Sequence, residues 1–322
     1  MIPKHTGDAE LDISVVLPIY NEAGNLELFI PELSAALQDL ERSYEIVAVD
    51  DGSQDESVAI LRSLKEQEPH LRIIEFRRNF GQTAAFAAGF DLSRGEYVVT
   101  MDADGQNNPA DLARLLEVME SGGYDIVSGW RQDRKEPFLS RRLPSIIANQ
   151  IIGRSTGVQL HDYGCSLKIY HRDVAKNVHL YGELHRFIPA LASGAGIKVA
   201  EVGVRDRPRQ FGRSKYNLFK TVRVILDLVT VSFLLSYMAR PMQLFGLAGL
   251  LSGGLGFAFG LYLAVYKIVT GADIGNRPLL SLAILLMILG AQFLVMGLLG
   301  ELQARAYFEV QNKPIYVIRR EE

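Results

Sequence analysis

Two uncharged stretches toward the C-terminal end constrain this chain more than any other feature. Residues 241–266, between Arg240 and Lys267, are 26 positions without a charge, and residues 278–300, between Arg277 and Glu301, are 23 more. A helix needs about 20 apolar residues to cross a bilayer, so each stretch is long enough. A buried helix of a soluble domain would carry a polar stripe, and neither stretch has one. The first is glycine-rich (LFGLAGLLSGGLGFAFG) and the second holds Gly290 and Gly297. Small residues at such spacing let helices approach closely. Neither stretch contains an ionisable group, which argues against an ion path and hence a transporter. The expectation is two transmembrane helices, about 241–266 and 278–300, that return the chain to its starting side.

Charge placement gives the expected orientation. The loop between the stretches has Lys267 and Arg277 as its basic residues. The tail carries Arg305, Lys313, Arg319 and Arg320, and the preceding flank carries Lys215, Lys220, Arg223 and Arg240. By the positive-inside rule both termini, the N-terminal domain and the tail 301–322 are expected in the cytosol. The first ten residues, MIPKHTGDAE, are polar and read as no signal peptide. The expected location is therefore the inner (cytoplasmic) membrane, as a multi-pass protein. Residues 216–238 set Lys220, Arg223 and Asp227 in an apolar run, as an amphipathic helix lying in the interface would.

Composition fits such a division. Mean hydropathy of +0.10 together with 22% charged residues describes a greasy part joined to a charged one. Net charge is 34 − 37 = −3, so there is no global basic field for nucleic acid. The single cysteine, Cys165, excludes a disulfide framework and a cysteine-rich metal site.

Residues 1–215 alternate short apolar runs with helical patterns. Strands are expected at 13–17, 44–49, 71–76, 96–101 and 125–129, and helices at 25–40, 55–67, 82–92 and 110–121. That alternation means βαβ units and a largely parallel α/β sheet. Ligands of such sheets bind beyond the carboxyl ends of the strands. Polar residues follow the strands: Pro18, Tyr20, Asn21 and Glu22; then Asp50 and Asp51; then Asp102 and Asp104; then Gly129 and Arg131. Neither a Rossmann glycine fingerprint nor a P-loop is present, so a nucleotide would be held by carboxylates, a metal and side-chain hydrogen bonds.

The pair Asp102-Ala103-Asp104 is the sharpest feature. Residues i and i+2 at a strand end share a side, and two carboxylates suit a hard cation, Mg2+ or Mn2+, completed by substrate phosphates. The competing use is a helix cap, by Asp104 or Asn108 before Pro109. Asp50-Asp51-Gly52-Ser53 reads equally as a turn and as a base or ribose contact.

LPIYNE (17–22), VDDGS (49–53), MDADGQNNP (101–109) and R-x-x-G-x-SKY (209–216) resemble the family 2 glycosyltransferases with a GT-A fold. HDYGCSLKIYHRD (161–173), ELHRFIPALA (183–192) and GAQFLVMGLLGE (290–301) narrow the resemblance to the polyprenyl-phosphate glycosyltransferases. These include dolichol-phosphate mannose synthase, the aminoarabinose transferase and the bacterial Gtr-type glucosyltransferases. The resemblance covers nearly the whole chain. It implies nucleotide contacts at Pro18, Tyr20, Glu22, Asp50 and Asp51, metal and donor diphosphate at Asp102 and Asp104, and Gln106 near the donor. Gly105-Gln106-Asn107-Asn108 departs from the Leu-Gln-x-Pro of many relatives and leaves Gln106 in place. Arg131, Arg209 and Lys215 match phosphate-binding positions, and Arg213 belongs to the same basic stretch. The Q-x-x-R-W motif of processive synthases is absent, since the only Trp, Trp130, follows Ser128-Gly129.

Glu183, His185 and Arg186 are expected to read the donor sugar, and Asp162 to serve as a general base or an acceptor-site residue. The implied reaction is inverting attack of a polyprenyl (undecaprenyl) phosphate oxygen on a nucleotide sugar. UDP-glucose is the expected donor, with mannose or aminoarabinose types as alternatives. A phosphate monoester has a second pKa of about 6, so the nucleophile is already ionised and needs no strong base. The resemblance further implies a homo-oligomer, with a tetramer among its forms, and contact with the lipid bilayer. Transfer to protein, diacylglycerol or glycan acceptors, and a non-enzymatic nucleotide-binding scaffold, are the competing classes.

Overall fold

The computed structural model describes residues 10–132, 150, 153, 157–178, 180, 184–193, 196–207 and 241–310. The described residues fall into two compact units, 10–207 and 241–310. The expected interfacial helix at 216–238 and the segment 311–322 of the tail lie outside the described residues.

The first unit is an α/β sheet. Strand β1 (Leu11–Ile19) is followed by α1 (Ala23–Gln38), β2 (Tyr44–Asp50), α2 (Ser57–Gln67), β3 (Leu71–Glu75), α3 (Gln82–Leu92) and β4 (Gly95–Thr100). After a short 3-10 turn at Pro109–Asp111 come α4 (Leu112–Gly122), β5 (Ile126–Arg131), β6 (Lys168–His171) and α5 (Arg172–Asn177). A 3-10 turn at Leu184–Phe187 then leads to α6 (Ile188–Ser193) and β7 (Val199–Val204). Strand order is β3-β2-β1-β4-β6-β5-β7. The pairs β1–β2, β1–β4, β2–β3 and β5–β7 are parallel. Among the described strands only β6 runs antiparallel, between β4 and β5.

The sequence explains the layers. Every residue of β2 is buried, as a strand covered on both faces requires. In α1, Leu26, Phe29, Ile30, Leu33 and Leu37 are buried, the i, i+3, i+4, i+7 stripe of a helix laid on a sheet. Glu45 is buried on β2 yet accepts from Ser14 Oγ and pairs with Arg72. That network lies at the amino end of the strands and is structural.

Five expected strands and four expected helices are present, with ends shifted by at most two residues. Two differences matter. The fifth strand runs through Arg131, so Gly129 and Arg131 lie within it rather than after it. Strands β6 and β7 were not anticipated, because a four-residue run (KIYH) and a run broken by Glu201 and Gly203 give little periodic signal.

The second unit is a helical hairpin of α7 (Pro241–Thr270) and α8 (Pro278–Val310). Both helices are long and apolar enough to cross a membrane. They touch backbone to backbone. A Cβ added to Gly290 would meet Gly253 N at 2.6 Å, and one added to Gly256 would meet the Ala283 carbonyl oxygen at 2.7 Å. Ser252 Oγ donates across to Leu286 O at 3.2 Å. Leu247, Leu250 and Ile268 point outward, as lipid-facing residues do.

Candidate active site

The site begins where the parallel strands end. Ile19 on β1 is level with Asp50 on β2, and Asp51 N still donates to Ile19 O at 2.7 Å. Beyond that point the two loops are laced together. Asn21, at φ 56°, accepts from Gln54 N through Oδ1 and donates from its own N–H to Ser53 Oγ. Asparagine tolerates this left-handed conformation better than most residues. Glu22 N donates to Ser57 Oγ at 3.0 Å.

A cleft of about 310 Å3 opens at this edge. Pro18, Tyr20, Glu22, Asp51, Asp102 and Asp104, all expected from sequence, line it together. Asn79, Gly81 and Gln82 complete the wall, and sequence reasoning missed them. Asp51 explains their position: its carboxylate accepts from Phe80 N at 2.6 Å and Gly81 N at 2.9 Å. The Arg78 backbone packs so tightly on Gly52, at φ 70°, that a Cβ there would lie 2.5 Å from Arg78 C. No motif flagged that loop; an Asn-x-Gly before a helix start was the available signal.

The two aspartates of VDDGS have separate positions. Asp50 is 2% exposed and accepts through Oδ2 from Gly52 N and Ser53 N, both at 3.1 Å. Its Oδ1 is buried without a hydrogen-bond partner. Asp51, not Asp50, lines the cleft.

The competing cap assignment for the D-x-D is resolved by Asn108, whose side chain accepts from Ala110 N at the start of the 3-10 turn. Asp104 is left at the cleft, where its Oδ1 accepts from Gln106 N at 3.1 Å. Asp102 accepts from Gln82 Nε2 at 2.7 Å. Among the described residues no group of three or more acidic, His or Cys side chains could hold a metal. Two carboxylates on one wall of an open cleft still fit a divalent cation whose other ligands come from a diphosphate. The residues that could hold such a cation, Mg2+ or Mn2+, are Asp102 and Asp104. They stand on a turn after Thr100, since β4 ends there, and not on the strand itself.

A second cluster forms around β5. Arg131 donates to Asp162 through Nε at 2.8 Å and through Nη2 at 3.2 Å. Burial works against the Arg131 cation, but the hydrogen bond and charge of Asp162 outweigh it and raise its hold on the proton. Asp162 Oδ1 also accepts from Gly164 N. Asp162, expected as a general base or an acceptor-site residue, is thus engaged by Arg131 and Gly164. Glu201 on β7 accepts from His161 N and Asp162 N. Trp130 stacks on His161 with ring centres 4.3 Å apart.

The start of the basic stretch reaches the D-x-D loop. Arg207 N donates to Gln106 O at 2.9 Å, and Arg207 Nη2 to Asn108 Oδ1 at 2.6 Å. Arg209, Arg213, Lys215 and Glu183 lie outside the described residues. Arg186 belongs to the 3-10 turn Leu184–Phe187. His185 Nδ1 lies 2.7 Å from Thr83 Oγ1.

Comparison with known proteins supplies the class to which this strand-end cleft with paired carboxylates belongs. The model of glycosyl transferase family 2 matches residues 14–178. Dodecaprenyl-phosphate galacturonate synthase of Rhizobium johnstonii is 42% identical over 313 residues, covering 96% of this chain and 93% of the relative. Undecaprenyl-phosphate 4-deoxy-4-formamido-L-arabinose transferase of Pseudomonas paraeruginosa is 39% identical, covering 96% and 89%. Glucosyl-3-phosphoglycerate synthase from Mycobacterium tuberculosis, solved with Mn2+ and UDP-glucose, shares the fold at TM-score 0.54 and 17% identity, over 70% of this chain and 79% of that one. The chain belongs to glycosyl transferase family 2 and is a glycosyltransferase.

Proposed function

We propose that this protein moves the sugar of a nucleoside diphosphate sugar onto the phosphate of a polyprenyl phosphate, at a membrane. The observation that carries the reading is the single cleft on which Asp102 and Asp104 meet Pro18, Tyr20, Glu22 and Asp51. A phosphate oxygen of the lipid attacks the anomeric carbon, the bond from that carbon to the diphosphate breaks, and the nucleoside diphosphate leaves. The configuration inverts in this one displacement. A divalent cation held by Asp102 and Asp104 supplies neutralising charge for the diphosphate. Asp51 holds the loop of Asn79 and Gly81 against the nucleotide. Arg131, oriented by Asp162, supplies a fixed cation to a phosphate.

Support for the lipid acceptor comes from the two relatives named above, whose polyprenyl-phosphate names attach to matches over 96% of the chain. The apolar hairpin agrees with an acceptor whose tail stays in a bilayer. UDP-glucose is the donor expected from the ELHRF segment. The relatives carry galacturonate and a formamidoarabinose, which widens the donor reading to UDP-sugars of those kinds.

The test is a panel of UDP- and GDP-sugars offered with undecaprenyl phosphate to the full chain in nanodiscs, with Mg2+ or Mn2+. The expected result is a glycosyl phosphate lipid identified by mass. Transfer only to protein, diacylglycerol or glycan acceptors overturns the acceptor assignment.

A further inference from the structure

A second cavity, of about 60 Å3, lies beside the donor cleft. Gln82 and Asp102 line both and are hydrogen-bonded to each other at 2.7 Å. Tyr163, Lys168 and His185 line the inner side. His185 is fixed there by Thr83.

Lys168 is the unusual member. It comes from β6 and is 2% exposed. Its Nζ donates to the carbonyl oxygens of Tyr163, at 3.2 Å, and Cys165. An ammonium has three donors, and no carboxylate of the described residues lies within ion-pair distance of this one. Lysine is almost never wholly buried without a counter-charge. Burial pushes the Lys168 ammonium below its ordinary value, and Asp162 and Asp102 offset that only from a distance. Both of those carboxylates are already engaged, by Arg131 and by Gln82.

We propose that this cavity receives an anionic substituent of the donor sugar, the ring carboxylate of a uronic acid, with Lys168 as its counter-charge. The inference rests on reading the larger cleft as the nucleotide-sugar site. The cavity has room for a carboxylate. The diphosphate belongs on the cleft side of Asp102, with the cation. Gln82 and Asp102, on the boundary, are placed to meet sugar hydroxyls.

The experiment uses the full chain in detergent with Mn2+. Binding of UDP, UDP-glucose, UDP-glucuronate and UDP-galacturonate is measured by calorimetry, and transfer to undecaprenyl phosphate by initial rates. Lys168→Gln keeps an N–H donor for the two carbonyls and removes the charge; Lys168→Arg keeps the charge. The native chain is expected to favour at least one UDP-uronate over UDP-glucose by about tenfold or more in affinity, the size of one charge-assisted contact. Lys168→Gln should erase that preference while UDP binds as before, and Lys168→Arg should retain it. Preference for UDP-glucose in the native chain overturns the proposal. So does an equal loss for UDP alone in Lys168→Gln, which would assign Lys168 to the diphosphate or to loop structure. Selective uronate binding without transfer would instead overturn the lipid-acceptor reading and leave this one standing.

Discussion

Arg131 and Asp162, far apart in sequence, meet in a two-pronged ion pair whose bonds measure 2.8 and 3.2 Å. One partner ends β5 and the other stands in the loop before β6. Asp162 is 2% exposed, so the pair joins a strand end to a loop under largely dry conditions.

Removing one partner should be worse than removing both. Arg131→Met leaves a buried carboxylate without its counter-charge, at a cost of about 3–5 kcal/mol. Asp162→Asn also lowers stability, and the double variant should recover part of the combined loss. Melting in detergent checks this. Additive losses would show that the two residues act independently. All three variants should transfer sugar poorly, because the fixed cation is lost or misaimed.

Asp104→Ala should abolish transfer while the fold persists. Losing one of two protein ligands removes several kcal/mol of leaving-group stabilisation, on the order of a thousandfold or more in rate. Initial rates and circular dichroism of the purified variant are the measurements, and near-native turnover would refute the metal assignment.

The basic stretch should divide in function. Arg209→Ala and Lys215→Ala are expected to lose charge-assisted phosphate contacts of about 1.5–3 kcal/mol each. Lys220→Ala and Arg223→Ala should act mildly, because headgroup attraction is screened by salt. Initial rates of the four variants in anionic nanodiscs decide it. Equal losses would make the stretch a general membrane anchor.

Glu68 gives a pH dependence with a definite sign. Its burial works to raise the pKa, but hydrogen bonds from Ser34 and His70 and the charge of His70 prevail and lower it. A lowered folded-state value means the stabilising contribution is complete above the ordinary glutamate value, 4.5, and fades as pH falls below it. Glu68→Gln should therefore be less stable than the native chain at pH 7, with the gap closing on acidification. A gap that widens below pH 4.5 contradicts this.

Cys165 should be inert in the folded protein. It is wholly buried, and burial pushes its thiol up to about 11. Thiolate is the reactive form, so a thiol reagent at pH 8 should label it only after denaturant is added. Rapid labelling of the native chain would mean the cavity wall opens.

The parts of this molecule that were legible in the sequence are those with local causes. Strand β2 is legible because YEIVAV is a mostly apolar run stopped by Asp50-Asp51-Gly52, and the D-x-D stands out because strand, turn and helix follow within a few residues. Lys168 did not stand out, because a lysine in a short run looks like an exposed strand position until β4 and β5 enclose it. The same holds for the Arg131–Asp162 pair: each residue was noticed, but their meeting depends on an antiparallel strand inserted into a parallel sheet. Asp50 and Asp51 show the finest limit. They are neighbours, so only the pleat decides which one reaches the cleft.

The glycine-to-glycine contact of the hairpin bears on how the protein reaches its bilayer. With Gly253 and Gly290 in backbone contact, the two helices can enter the hydrocarbon as one preassembled wedge, not as two separately threaded rods. The polar segment between the arms of such a wedge is the connecting turn, residues 271–277. Its charges are already subdued: Asp273 Oδ1 accepts from Gly275 N, and the Arg277 guanidinium lies 4.3 Å from the centre of the Tyr266 ring. Inserting the pair as one unit then carries only this seven-residue turn into the hydrocarbon as its polar leading edge.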